Sequence, residues 1–428
     1  MFELGKHHTS VTTETIAGLT TFLAMSYILF LNPVILSQAG MDKSSVFVAT
    51  CLMAAFGSVL MGFLANYPIA LAPGMALNSY FTYSVVLGAG YSWQMALGAI
   101  FLAGTLLFFL SVLPIREAII NSIPSCLKSA IVAGLGLFLC MIGLKNAGII
   151  VAHPTTFVAL GNLHDPTVLL AMLGFFFLLA FETYQLIGSI LLSIVIITFL
   201  SILLGYQKFL GIFSLPPSLS PVFMHMDLSA VFNMNAFPII FAFLFVNLFD
   251  NTGTLIAIAH KANLMGPGGK IPKLNKVLVA DSIAALMSGV VGTSTTTSYL
   301  ESIVGVNAGG RTGLTSIIVG ICFLIALFFA PLAQSIPVYA TAPALIYVAC
   351  LMMRAFADIN WQDTTEYIPA VIMSLMIPFT FSIADGIAFG FITYTAIKML
   401  TRRWDDLNII ILFVTASFII KYMFLAIS

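Results

Sequence analysis

The stretch GVVGTSTTTSYLESIVGVNAGGRTGLT (residues 289–315) decides the fold. An apolar run ends at Gly292, hydroxyl residues fill Thr293 to Ser298, and apolar residues resume around an acid, Glu301. Extended chain through the hydroxyl run leaves its amides unpaired unless another strand or a ligand meets them. The stretch therefore reads as a membrane span broken in its middle, an extended piece followed by a helical half. Glu301 begins the helical half, at the end where the helix dipole favours negative charge.

A second stretch has the same character. NYPIALAPGMALNSYFTY (66–83) carries Pro68, Pro73 and Gly74 ahead of Asn78. Proline removes a backbone donor and glycine relaxes the chain, so a continuous helix is not expected there. Freed amides and the Asn78 side chain are placed to hydrogen-bond a polar ligand; the structural alternative is a kink with Asn78 bonded to a neighbouring helix. A third feature is Asp250 in FLFVNLFDNTGTLIAIA (243–259). Asn247 and Asp250 share a helix face by i,i+3 spacing, and Asp250 and Thr254 by i,i+4. A carboxylate with amide and hydroxyl neighbours suits N–H donors on a flat heterocycle. Carboxylates are costly inside a bilayer and usually mark a substrate or ion pathway.

Composition sets the class. The 428 residues are 60% hydrophobic and 7% charged with zero net charge, whereas about a quarter of residues in soluble domains are charged. The balance leaves no electrostatic footprint for nucleic acid. Glu3 and Lys6 precede a first apolar stretch too long for a cleavable signal peptide. Cys51, Cys126, Cys140, Cys322 and Cys350 are scattered singly, as small buried hydrophobes would be, with no metal-ligand or disulfide spacing. No cofactor is called for.

Apolar segments fall near 13–39, 44–65, 69–87, 92–113, 124–144, 167–182, 186–205, 236–259, 277–292, 295–308, 312–332, 336–354, 367–383, 385–401 and 407–427. Their lengths suit helices crossing a hydrocarbon core of about 30 Å. The third and tenth are the weak ones; the rest read as ordinary spans. With the N-terminus inside, twelve Lys and Arg residues from Lys6 to Arg403 collect on the cytoplasmic side, against Lys43, Lys145 and Lys208 outside. That bias follows the positive-inside rule. It places the loop His260–Lys276 inside and the Pro-rich link 207–234 (SLPPSLSP within it) outside.

The expected fold is an all-α polytopic membrane protein of about 14 spans in a 7+7 inverted repeat. Its third and tenth segments are broken, hold short extended stretches and pair across a pseudo-twofold axis. Interrupted segments at corresponding positions of two halves point to a transporter's binding site. The segment 407–427 falls outside that count, and its topology stays open. Phe81, Tyr83 and Tyr299 are candidates for stacking on a base. Asp281, Asp385, Glu14 and Glu182 lie near span ends bordering water and read as caps or loop contacts. Arg311, after Gly309 and Gly310, reads as the partner of a helix end or a lipid phosphate.

At these residues the chain resembles the AzgA-type purine nucleobase permeases of the nucleobase–cation symporter-2 superfamily. The resemblance runs through most of the chain, in AGLTTFLAMSYILFLNP, ALAPGMALNSYFTY, NLFDNTGTL, GTSTTTSYLES and GGRTGLT. It implies a core domain from 1–113 and 235–332 and a gate domain from 114–206 and 333–403. The linker 207–234 and the extra segment 404–428 stand apart from both. It also implies an elevator-like movement of core against gate, and a homodimer. Carried over by position, Asp250 is the eighth-span acid, Glu301 the tenth-span acid and Asn78 the third-span polar residue. GLKNAGIIVAHP and VNLFDNTGTL resemble the adenine-transporting branch, while guanine/hypoxanthine permeases share most of the motifs.

The expected function is proton-driven import of a purine base across the cell (inner) membrane, not enzymatic chemistry. Asn78, Phe81, Asp250, Thr254, Tyr299 and Glu301 form the expected substrate site, with Glu301 and Asp250 the proton-coupling groups. Ligand and proton that stabilise each other's binding are thereby coupled. Sodium is the alternative coupling ion, since carboxylates, hydroxyls and carbonyls bind it too. An anion transporter on the same fold would want a cation at the site, and Arg311 is the one nearby. An intramembrane enzyme would need a nucleophile–base pair or a metal cluster, and no His lies in mid-span.

Overall fold

The computed structural model describes residues 2, 4–113, 123–231, 237–261 and 273–425. For 230, 231, 237, 249, 250, 252, 253, 256, 257, 259–261, 421, 424 and 425 it describes the backbone alone. Every apolar segment expected from the sequence is occupied by a helix or a broken helix. Polar residues start many of them. Ser10, Asp42, Asp165, Thr312, Asp363 and Ser382 each cap a helix by accepting a backbone N–H, which satisfies donors the first turn leaves orphaned.

Nine helices among the described residues are long and apolar enough to cross a bilayer. The chain is a multi-pass membrane protein. Ser189–Leu203, Pro238–Leu248 and Ile409–Ile420 are shorter apolar helices, so helix length alone does not yield fourteen spans. The extra C-terminal segment is the helix Ile409–Leu425, packed on Ile383–Leu400. Most of the cytoplasmic loop expected at His260–Lys276 lies outside the described residues.

The third segment contains the strand β1 (Leu71–Pro73), a short helix Met75–Ser79 and a π-helical stretch Tyr80–Gly88. Two strands, β2 (Ile150–His153) and β3 (Phe157–Leu160), form an exposed hairpin where the sequence shows only a link between apolar segments. The tenth segment contains β4 (Thr296–Ser298) and the six-residue helix Ser302–Asn307. β1 pairs with β4 antiparallel, Leu71 opposite Ser298, Ala72 opposite Thr297 and Pro73 opposite Thr296. The expected pairing of the two broken segments is therefore present.

The first segment is not the ordinary span expected. It is a 27-residue run in which Val11–Met25 gives way to Ile28–Ser37 through a tightened turn at Ser26 and Tyr27, with Pro33 inside the second piece. The turn closes with Leu29 N–H to Ser26 O (3.1 Å) and Phe30 N–H to Tyr27 O (3.1 Å).

The chain divides into two compact units, Met1–Val112 with Ile142–Leu345 and Leu113–Met141 with Ile346–Ser428. Two of the cuts fall inside the helices Ser125–Asn146 and Val338–Met353. In the first unit, Met61, Leu71, Leu255, Leu278, Ala284 and Val306 join one buried apolar cluster. It packs β1 and the half-helix Ser302–Asn307 against the helices Lys43–Leu64, Phe237–Lys261 and Leu274–Val291. The helices Lys43–Leu64 and Gly313–Ala326 meet backbone to backbone, since a Cβ on Gly313 would collide with the Gly62 carbonyl. In the second unit, Thr364–Thr380 and Ile383–Leu400 form a helical pair.

Candidate functional site

The site grows from the strand crossing. Two three-residue strands cannot satisfy themselves, and several of their outer backbone groups find specific partners. Gly74 N–H donates to Thr295 O (2.9 Å) and Tyr299 N–H to Ala70 O (3.0 Å), which extends the ladder at both ends. Leu71 N–H meets the Ser58 hydroxyl, Ala70 N–H that of Ser302 and Thr296 N–H that of Ser288, each at 3.0 Å. The Tyr299 hydroxyl donates to Pro73 O at 2.6 Å. Hydroxyls thus replace the water that a bilayer denies an extended chain. Gly74 permits the close approach, because a Cβ there would lie 2.8 Å from Thr297 Oγ1.

The crossing aims two half-helices. Asn78, fully buried, sits in the first, and its Oδ1 accepts the Ser294 hydroxyl proton while its Nδ2 has no partner among the described residues. Phe81 is fully buried in the π-helical stretch. Glu301, partly buried, stands at the start of the second half-helix and accepts a hydrogen bond from the Tyr27 hydroxyl. The tightened turn in the first segment places that tyrosine.

A third element closes on the crossing. On the helix Phe237–Lys261, Asn251 Oδ1 accepts the Ser298 N–H at 3.3 Å. Asn247 and Asn251 are fully buried, Thr254 is partly buried, and all three lie along one face by i,i+4 and i,i+3 spacing. Asp250 lies on this helix, but its side chain falls outside the described residues. Buried atoms with no partner among the described residues gather here. They include Asn247 Oδ1 and Nδ2, Asn251 Nδ2, Thr295 Oγ1 and Ser298 Oγ. Buried polar groups are normally paired, so such a concentration suits a place that meets a polar ligand.

Sequence reasoning missed several residues here. Tyr27 carried no polar signal inside FLAMSYILF. Ser294 was hidden in a run of like residues. Asn32 also escaped notice; its Nδ2 donates to Thr50 Oγ1 (2.8 Å) and Thr293 Oγ1 (2.9 Å), tying the first two segments to the tenth. Tyr83 donates to Gln38 Oε1 (3.2 Å) and accepts from Asn146 Nδ2 (3.1 Å).

Four readings need correction or completion. Glu14 does not border water: it is fully buried and accepts from Arg311 N (2.9 Å), Thr312 N (3.3 Å), Thr315 N (3.3 Å) and Thr315 Oγ1 (2.5 Å). It still serves as a cap, because the helix Gly313–Ala326 presents those donors. Asp281 is fully buried too, well inside the helix Leu274–Val291. Arg311 holds a helix end as expected, donating to Val306 O (2.6 Å) and Gly310 O (2.7 Å). Only Cys51 and Cys126 are buried, and Cys350 is exposed.

The architecture and motifs have clear relatives. The model of the Permease family, Xan_ur_permease, matches residues 12–389. The chain belongs to this permease family. Adenine permease AdeP of Escherichia coli (strain K12) is 48% identical over 425 residues, 99% of this chain and 96% of that protein. Guanine/hypoxanthine permease PbuO of Bacillus subtilis (strain 168) is 39% identical over 433 residues, 99% of this chain and 100% of that protein. Among solved structures, the transmembrane domain of the cyanobacterial bicarbonate transporter BicA matches with a TM-score of 0.66 at 18% identity, covering 89% of this chain and 97% of that one. At that identity the likeness carries the fold alone. The AzgA-type resemblance read from the motifs agrees with the relatives.

Proposed function

We propose that this permease imports purine nucleobases across the cell (inner) membrane by proton symport, with its N-terminus in the cytoplasm. The observation that carries the proposal is the meeting of two half-helices at the β1–β4 crossing, one bearing Asn78, whose Nδ2 has no partner among the described residues, and the other the carboxyl of Glu301. A purine is flat and carries N–H donors beside ring acceptors. Glu301 and Asp250 accept its donors, Asn78 meets a ring acceptor, and Thr254 completes the polar edge. Phe81 and Tyr299 supply ring faces for stacking. Adenine is the favoured base, on 48% identity to a protein named for adenine against 39% to one named for guanine and hypoxanthine.

Glu301 takes up a proton outside and releases it inside. A charged carboxylate moving through the bilayer with its domain is costly, and protonation removes that charge for the crossing. Purine and proton then bind with mutual preference, and the reciprocity is the coupling. Segments 1–113 and 235–332 act as the moving core, and 114–206 and 333–403 as the gate of an elevator, in a homodimer.

The test is uptake of radiolabelled adenine into purine-transport-deficient cells, with and without a protonophore. Cold guanine, hypoxanthine, xanthine and uracil serve as competitors. Saturable uptake competed by purines, lost with the protonophore and abolished by Glu301→Gln is the expected result. No purine uptake by well-expressed protein refutes the substrate. Uptake that needs sodium but no proton gradient overturns the coupling alone.

A further inference from the structure

Asn78 can present either edge of its amide to a ligand, and the two edges select opposite chemistry. The Nδ2 edge donates and meets a ring nitrogen or carbonyl; the Oδ1 edge accepts and meets an N–H. Heavy-atom positions alone do not choose between them, because amide orientation follows from the hydrogen-bond network. Here the network chooses. The Ser294 hydroxyl donates to Asn78 Oδ1. Both residues are fully buried, and among the described residues the hydroxyl has no other acceptor. In a flipped amide the hydroxyl would accept from Nδ2 instead, and its own proton would be left without an acceptor in a buried site, a penalty of about 1–3 kcal/mol.

Ser294 is itself held in place. Its neighbour Thr293 accepts from Asn32 Nδ2 at 2.9 Å, and Asn32 also donates to Thr50 Oγ1 at 2.8 Å. On the other side, Thr295 O takes the Gly74 N–H at 2.9 Å, at the start of the short helix that carries Asn78. Hydroxyl and amide are thus fixed to the same crossing from both ends.

We infer that Ser294 is a specificity-determining positioning residue: by occupying Asn78 Oδ1 it commits the amide to present an N–H donor, so the site requires a hydrogen-bond acceptor at one ring position of the base. This rests on the proposed purine site. Ser294 need not touch the substrate; it acts through the orientation of Asn78.

The test compares inhibition of radiolabelled adenine uptake by adenine and by three analogues in which N1, N3 or N7 is replaced by C–H. The wild-type protein discriminates against one of the three by about tenfold or more, the cost of leaving the Asn78 donor unpaired. In Ser294→Ala that one ratio falls to within about twofold of unity, because the amide is free to turn. Ser294→Thr, which keeps the donor, retains the ratio. Should the alanine variant fail to accumulate, Ser294→Cys replaces it, since a thiol is a poor donor of similar size. A merely structural Ser294 changes affinity for all four bases alike, and unchanged ratios in a folded variant overturn the inference. Wild-type uptake that distinguishes none of the analogues overturns it as well while leaving purine transport intact. Absence of saturable adenine uptake in the wild type refutes the proposed function instead.

Discussion

A buried hydroxyl meets a partly buried carboxyl at the start of the second half-helix. The Tyr27 ring is 1% exposed and its hydroxyl donates to Glu301. A hydrogen bond to a charged acceptor contributes about 1.5–3 kcal/mol, so Tyr27 holds Glu301 in one orientation while the carboxyl is ionised. Tyr27→Phe removes the donor and little volume. We expect severalfold slower maximal uptake of radiolabelled adenine at unchanged protein abundance, with a smaller change in KM. Equal rates in the two proteins would deny Tyr27 any positioning role. Glu301 and Asn78 were legible from the sequence because an acid or amide inside an apolar span has few bland explanations. Tyr27 was not, since a tyrosine among Met, Ile and Leu packs equally well with or without a partner. Glu14 departs from expectation for a different reason. Its position near a span end suggests water, but burial there is set by the turn Gly309–Gly313 folding over it, and sequence spacing does not encode that turn.

At the scale of elements, the helical run Gly313–Gln334 is clamped by opposite charges at its two ends. Glu14 accepts four hydrogen bonds at its N-terminus. Lys43 Nζ donates to Gln334 O (3.3 Å) and Ile336 O (3.2 Å) at its C-terminal end. Each charge opposes the partial charge of the helix end it meets. The first and second segments are thereby fastened to the element that follows the tenth. Glu14→Ala leaves backbone donors buried without an acceptor, and a loss of about 2–4 kcal/mol follows. Glu14→Gln keeps one acceptor oxygen and should cost about half as much. Thermal unfolding of the purified protein in detergent checks the order, and a smaller loss for alanine than for glutamine would contradict the clamp. The strand pair was legible at this scale because backbone amides inside a bilayer need partners, which constrains two broken segments to find each other. The β2–β3 hairpin was not, because its exposed strands obey no such constraint and Phe157 turns with a positive φ of 64°.

At the scale of the whole molecule, the candidate site and a charged anchor fall in different compact units. Every residue placed in the site belongs to the first, from Tyr27 to Glu301. The second has its own electrostatic anchor. Lys398, 1% exposed, lies 2.6 Å from Asp406, and Arg403 joins Asp363 (2.6 Å) to Asp406 (3.5 Å). The fifteenth segment, which the fourteen-span pattern did not accommodate, is bound to this unit by Thr415 on Thr395 (2.8 Å) and Tyr422 on Asp385 (2.7 Å). The sequence offered no way to place it, since an apolar helix with one lysine fits a span, a re-entrant turn or the interface equally well. Hydrogen bonds from Arg403, then from the Thr365 hydroxyl and amide, hold the Asp363 carboxyl well below the usual carboxylate range. A folded-state value below the unfolded one, about 3.9, means that the anchor stabilises the fold above that pH. The contribution is lost as pH falls toward the depressed value. Asp363→Asn should therefore lower the unfolding temperature at pH 7 and flatten its fall between about pH 5 and pH 3. Asp406→Asn leaves the buried Lys398 ammonium without this carboxylate and should lower the unfolding temperature further. Equilibrium binding of adenine to either purified variant, measured below its transition, should stay within about twofold of wild type, because the proposed site residues all belong to the first unit and these two to the second. Unfolding curves that coincide with wild type across that pH range would remove the anchor from the account, and a tenfold loss of binding would mean that the second unit shapes the site.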